Sequence, residues 1–481
     1  MPENNRLTNY TLILFTILFA VKLYFISNTF LVDDEAYYAM YARHLAWGYI
    51  DHGPVVAFII WIFTFLNESS FTVRLGPVIL MSFLTIFLYS VTKKHMDQQF
   101  ALITSLALIA NLMFHTNSII ITPDVPLAFF SILSILFYYL AYFKDERFIY
   151  PGGIMLGLSV LSKVSALFPA IGIFLFPFLV KEKRYMLKNV HFYASFFISF
   201  IIFIPFIVWN FKNDFAFVKY QGSHILEGGG FSDFLELWAG AVLLIGPLFF
   251  YYSAIKPIIY LKDWMVISSE KKYFGLVTSV PLSYFLFHSL FSRFELNWIA
   301  PIFFGGLFIL AAEESQYSQT RKRLHIQIIY SLFFISLIMI QTFYPLLPLK
   351  GKSDPTNRYY MYTSLVKDVK TSIMDDLEMN KLRIVSNEFQ IPSIINFYLN
   401  PQHEAICLSI DYHETLYSFH YDQQSLIGED FIYIHDKKEF PEKIKPFFDS
   451  YEPIMISNHS RNNSTVASYS IWAVKNYKGK L

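Results

Sequence analysis

Asp33, Asp34 and Glu35 open one polar stretch of the chain, and His44, Asp51 and His52 follow within it. Thr122-Pro123-Asp124 comes next, then Lys163 and Asn210, and finally Arg293 with Glu295 and Asn297. Carboxylates, an imidazole and several cations suit the transfer of a group away from a phosphate. A carboxylate takes the proton of an acceptor hydroxyl, and cations stabilise the negative charge that builds on a departing phosphate. No Gly-rich phosphate loop is present, and none is needed where the energy already sits in the bond to a lipid phosphate. Charges beside a membrane are ordinarily just solvated. Asp34 and Asp124 differ because each abuts an apolar run, and Asp124 lies between Pro123 and Pro126, which restrict the local backbone.

A mostly apolar chain must position these groups. Of 481 residues, 54% are hydrophobic and 16% charged, against about 25% charged in a soluble domain. The net charge of +1 gives no field directed at nucleic acid. Cys407 is the single cysteine, which excludes an intrachain disulfide and a cysteine metal cluster. Asp and Glu oxygens suit Mg²⁺ or Mn²⁺, so a divalent cation stays open as a cofactor. The apolar run after Arg6 lacks a small-residue cleavage site and reads as a retained first span.

Runs long enough to cross a bilayer as helices lie near 10–31, 71–91, 100–120, 125–143, 191–209, 236–255, 273–291, 298–313 and 325–346. The apolar stretch 152–180 is interrupted by Lys163. Crossing twice there, with Lys163 near the turn, puts the basic clusters at 93–94, 144–147, 181–188, 256–272 and 321–323 on one side, as the positive-inside rule requires. The expectation is eleven spans, N-terminus in the cytoplasm and C-terminus outside, with the acidic loops on the outer face. Segment 54–66 is too short to span and reads as an interfacial helix. From 347 onward, helical segments (354–375, 389–399) alternate with short apolar strands (382–386, 405–409, 431–434, 453–457). The predicted fold is therefore an α-helical polytopic membrane domain, 1–346, followed by a small α/β domain, 347–481.

Asp34-Glu35-Ala36-Tyr37-Tyr38, then His44-Leu45 and Gly48-Tyr49-Ile50-Asp51-His52-Gly53-Pro54, resemble the first outer loop of bacterial dolichyl-phosphate-mannose–protein mannosyltransferase-like proteins. These belong to the GT-C class of polyprenyl-phosphate-sugar transferases, which includes lipid A aminoarabinose transferase. Arg74-Leu75, Pro123-Asp124-Val125-Pro126-Leu127, Gly157-Leu158 to Ser162-Lys163, Pro205 to Trp209-Asn210, Asn297-Trp298 to Pro301, and Phe397-Tyr398-Leu399 follow in the same order. The resemblance implies a GT-C fold and transfer of a sugar from a polyprenyl-phosphate donor to lipid A, another envelope glycolipid or a protein. That reaction would take place on the outer face of a bacterial inner membrane. It implies Asp34 as catalytic base, Glu35 as its orienting neighbour or a contact to acceptor or metal, and Asp124 as the second acidic residue. His52 falls where relatives carry a basic contact to the lipid phosphate. Tyr37, Tyr38, Asp51, Asn210 and Asn297 lie in the matched stretches and are the expected substrate contacts. Lys163 and Arg293 are added as phosphate partners from their location. Gly53 departs from the family's usual proline, which is expected to loosen the turn at His52. Adjacent carboxylates on a helix face different ways, so only one of Asp33 and Asp34 is expected to point into the site.

Two other classes compete. A lipid or sugar transporter without covalent chemistry would place ionisable residues near the bilayer midplane on repeated halves, whereas no repeat is evident and the acids sit at span ends. A non-catalytic scaffold ranks last, because the C-terminal segment offers no convergent acid–base set. The orientation has a direct check. A reporter fused after Leu481 should be active only outside the cytoplasm, and cytoplasmic activity would refute eleven spans.

Overall fold

The computed structural model describes residues 2–225, 228–316, 321–410 and 413–479. Each of the eleven stretches read as spans is helical. Six helices among the described residues are long and apolar enough to cross a membrane: Leu7–Asn28, Ser70–His95, Asp124–Phe143, Val190–Lys212, Leu296–Glu314 and Lys322–Phe343. Two sharply bent pairs, 164–188 and 231–262, bring the number to eight where each counts as one broken span. The chain is a multi-pass α-helical membrane protein. Its stretch 152–180 parts at Lys163, which has extended backbone between Ile149–Ser162 and the turn leading to Leu167–Leu179. Each arm is about 20 Å long at 1.5 Å per residue, short of the ~30 Å hydrocarbon core.

Two spans expected to be continuous are broken. The 100–120 run is divided into Gln98–Ile109 and Leu112–Thr116, and the 236–255 run breaks at Gly246, whose φ of 85° only glycine adopts readily. Freed backbone groups inside a membrane must find partners within the protein. Asn111 accepts from the backbone N–H of Met113 and donates to the Ile245 carbonyl at 3.0 Å. Gln327 donates to the same carbonyl at 2.9 Å and accepts from the Leu248 N–H at 3.1 Å. Two polar side chains thus repair both breaks.

By contacts the chain divides into two compact units: 1–25, 47–56 and 74–336 in one, and 26–46, 57–73 and 337–481 in the other. The last piece of the second starts at 337, and the unit also takes in two pieces around the first outer loop.

In the first unit, helices Asp124–Phe143 and Ala300–Glu314 are buried along nearly their whole length. Val190–Lys212 is peripheral and turns Phe197, Phe200, Ile201 and Val208 outward, as expected of a surface bathed in lipid. Loops expected to be basic and otherwise plain meet a buried acid here. Glu313 receives Lys256 at 2.8 Å, Lys271 at 2.6 Å and the Tyr260 hydroxyl at 2.6 Å.

In the second unit a five-stranded sheet is formed by β1 Arg383–Ser386, β2 Ile406–Cys407, β3 Phe431–His435, β4 Ser450–Arg461 and β5 Ser464–Lys475, in the order β2-β1-β3-β5-β4. β1 runs parallel to β2 and β3, while β5 is antiparallel to β3 and β4. The strand expected at 453–457 is the middle of the longer β4, and β5 was not expected. Helix Gln390–Leu399, which connects β1 to β2, packs on helix Asp33–Arg43. At its end the Tyr398 hydroxyl accepts from the Leu31 N–H at 2.8 Å and bonds Ser70 at 2.9 Å. The residues after Ala57 in helix Val55–Thr64 leave Trp61 and Ile62 exposed, and Phe65 and Leu66 just beyond are exposed too.

Gly53 does not loosen its turn. A Cβ there would stand 1.7 Å from the Leu161 carbonyl oxygen, a backbone atom. The 52–54 loop therefore seats against the end of the Ile149–Ser162 helix, and only glycine fits. Gly53→Ala should lower stability by about 1–3 kcal/mol, the usual cost of overpacking, read as a lower thermal midpoint in detergent. Gly222→Ala is the control, since nothing lies within 4 Å of a Cβ at that position. Equal midpoints for the two variants would contradict this packing.

Candidate active site

The acidic centre of the second unit sits on the first turn of helix Asp33–Arg43. Three carboxylates there face the positive end of the helix dipole, which favours them. Glu35 is fully buried, and its Oε2 accepts the Val32 N–H at 3.0 Å. It closes the helix start and fixes where the first turn points. Asp33 Oδ1 accepts the Asp34 N–H at 3.1 Å and Arg358 Nη2 at 2.6 Å, and the Tyr362 hydroxyl lies 3.4 Å from Oδ2. Asp34 Oδ2 accepts the same Arg358 nitrogen at 3.0 Å.

One guanidinium nitrogen therefore bridges the two adjacent carboxylates. They still differ. The Asp33 side chain is 16% exposed and Asp34 is 44% exposed, with Arg358 as its side-chain partner. Asp34 is the carboxylate open to an incoming group. Crowding by surrounding protein and the charge of Asp33 push its pKa above the usual carboxylate range, Arg358 opposes this, and Glu35 adds a smaller upward push. Since its tip remains accessible, the crowding is not full enclosure.

Tyr37 and Tyr38 are both buried. The Tyr37 hydroxyl accepts the Leu416 N–H at 2.9 Å and its ring packs on Phe389, so it pins the helix to the α/β part of this unit. His44 does the same at the other end, 2.9 Å from Glu404.

The first unit carries a second cluster. Asp124 opens helix Asp124–Phe143 and is 3% exposed. Its Oδ1 accepts Lys163 Nζ at 2.7 Å and its Oδ2 accepts Asn297 Nδ2 at 2.8 Å. Three residues from three separate expected loops thus meet. His52 lies within electrostatic reach of Lys163; burial, and then the Lys163 ammonium, hold its ring well below the usual histidine value. At neutral pH it offers a neutral ring and not a cation. The backbone carbonyl of Asp51 accepts Gln221 Nε2 at 3.0 Å. Asn210 is buried, donates to the Phe206 carbonyl at 3.1 Å, and its Oδ1 has no hydrogen-bond partner among the described residues. Arg293 is exposed and makes no side-chain hydrogen bond or ion pair with any described residue. Among the described residues, no three His, Cys, Asp or Glu side chains are arranged to hold a metal ion.

Sequence reasoning missed Arg358. It lies in a short turn, Pro355–Tyr359, with no motif around it, and its partners are 324 and 325 residues earlier. The available signal was weak: a basic residue close behind the last span, on the side assigned to the acidic loop.

Residues 51–209 match the sequence model of the dolichyl-phosphate-mannose-protein mannosyltransferase family. Lipid A galacturonosyltransferase RgtD of Rhizobium johnstonii is 26% identical over 244 residues, 49% of this chain and 51% of that protein. The match therefore spans about half the length of that relative. ArnT from Cupriavidus metallidurans, solved bound to undecaprenyl phosphate, superposes with a TM-score of 0.63 at 15% identity, over 96% of this chain and 98% of that one. Its apo form gives 0.61 at 12% identity. The apo oligosaccharyltransferase of Archaeoglobus fulgidus gives 0.51 at 13% identity, over 82% of this chain and 64% of that one. The chain is thus a polytopic membrane protein with the GT-C fold seen in ArnT, similar in sequence over about half its length to lipid A galacturonosyltransferase RgtD.

Proposed function

We propose that the protein transfers a sugar, hexosyl or pentosyl, from a polyprenyl-phosphate donor to an acceptor such as lipid A, another envelope glycolipid or a protein. The reaction takes place on the periplasmic face of a bacterial inner membrane, and Asp34 is its general base. The observation that carries this reading is Asp34 itself: an accessible carboxylate on a helix start, gripped by Arg358, in a chain with the fold of ArnT. Asp34 removes the acceptor proton as the acceptor oxygen attacks the anomeric carbon. The bond from that carbon to the phosphate oxygen breaks, and the polyprenyl phosphate leaves with the electron pair. One base and one displacement invert the anomeric centre.

The remaining residues divide by their contacts. Arg293, exposed and without a side-chain partner among the described residues, is placed to meet a donor phosphate. Lys163 is already paired with Asp124, whose other oxygen is held by Asn297, and a neutral His52 contributes a hydrogen bond in place of charge. Asp124 is a positioning residue in this scheme.

Asp34→Asn should reduce transfer by at least about 10²-fold, the scale of a lost general base, with membrane insertion unchanged. Mass spectrometry of envelope glycolipids and glycoproteins, comparing a deletion strain carrying either the wild type or the variant, reads the outcome. Full modification by Asp34→Asn would overturn the base assignment, and identical profiles of the deletion and wild-type strains would overturn the transferase itself.

A further inference from the structure

We propose that Arg461 is a positioning residue, which fixes through the β4–β5 hairpin the turn that holds Arg358 against Asp33 and Asp34. Its catalytic meaning rests on Asp34 acting as the base.

Arg461 is the last residue of β4 and pairs with Ser464 of β5. Asn462 and Asn463 connect the strands with φ of 51° and 56°. Two consecutive left-handed residues make the tight type I′ hairpin, whose twist matches the flanking strands. The strand end that carries Arg461 is therefore held by the backbone. Its side chain is 12% exposed. Nη1 donates to Thr356 Oγ1 at 2.9 Å and Asn357 Oδ1 at 2.8 Å. Nη2 donates to the carbonyls of Gln341 at 2.7 Å and Thr342 at 2.5 Å. The guanidinium also lies 4.6 Å from the centre of the Tyr360 ring.

One planar group thus joins three pieces of the second unit: the hairpin, the end of helix Arg321–Phe343, and the Pro355–Tyr359 turn. Asp354, 3% exposed, braces the same turn by accepting the Thr356 N–H at 2.9 Å, the Thr356 hydroxyl at 2.7 Å and Gln341 Nε2 at 2.6 Å. Arg358 directly follows Asn357, so whatever orders Asn357 sets where the Arg358 side chain starts. A lysine cannot reproduce the fork, since its compact ammonium does not span four acceptors in one plane.

The test reads Asp34 directly and needs no substrate. Carboxylate infrared bands of the full-length protein in lipid nanodiscs are titrated with pH, and the Asp34 signal is assigned by difference with Asp34→Asn. The charged groups that act on Asp34 are Asp33, Glu35 and Arg358, with Tyr362 behind Asp33. Loosening Arg358 removes the one that favours the ionised form. Arg461→Gln should move the Asp34 titration upward by about one pH unit, with Arg461→Lys in between. A purely structural staple would lower the melting temperature and leave that titration in place, so an unmoved titration in folded Arg461→Gln overturns the proposal. If Arg461→Gln does not fold, Arg461→Lys and Thr356→Val decide: an upward shift in either supports the proposal, and no shift in both overturns it. Absence of sugar transfer would overturn the proposed function and leave this result standing.

Discussion

A single guanidinium nitrogen touching two adjacent carboxylates is the contact on which the candidate site depends. Crowding by protein and the charge of Asp33 both disfavour the ionised form of Asp34. Arg358 opposes both effects on Asp34 and touches the two acids differently. Asp33 is held by Arg358, by the Asp34 backbone and by Tyr362, whereas Asp34 keeps an accessible oxygen. The α/β part of the chain thereby acquires a chemical task. It supplies the counter-charge for the acids on helix Asp33–Arg43, and contacts through Tyr37, His44 and Tyr398 hold that helix in the same compact unit.

The membrane unit follows a related rule with a different balance. Asp124 is nearly enclosed, and an enclosed charge is costly unless paired and hydrogen-bonded. Lys163 and Asn297 meet both conditions, one at each carboxylate oxygen. Gly53 seats its loop on the last turn of the helix that ends beside Lys163, so a position that departs from the family pattern is explained by a backbone clash any side chain would cause. Asn111 and Gln327 show the same economy elsewhere, satisfying backbone groups at breaks that the hydrocarbon would otherwise penalise.

Much of this was legible in the sequence where one local property dominates. Long apolar runs read as helices because little else explains them, and Asp34 and Asp124 stand out because acids bordering hydrocarbon are rare. What depends on distant partners was not legible. Asn111 and Gln327 look like ordinary polar residues, since the carbonyl they share lies 134 and 82 residues away. Arg358 sits in an unremarkable turn. β5 was overlooked because Ser464, Ser468 and Ser470 interrupt its apolar alternation, yet it lies inside the sheet between β3 and β4. The three short strands β1–β3 and the apolar middle of β4 have cleaner patterns and are legible.

The most direct measurement is the pH dependence of the initial rate of sugar transfer in isolated envelopes, comparing the wild type with Arg358→Gln. A base must be ionised, so the rate rises with pH through the Asp34 pKa. Arg358 is the group that lowers that pKa. Its removal should move the acid limb upward by about one pH unit or more while activity at high pH is partly retained. An acid limb that superposes on the wild type would contradict the account, since Asp34 would then not be the group whose ionisation limits the reaction.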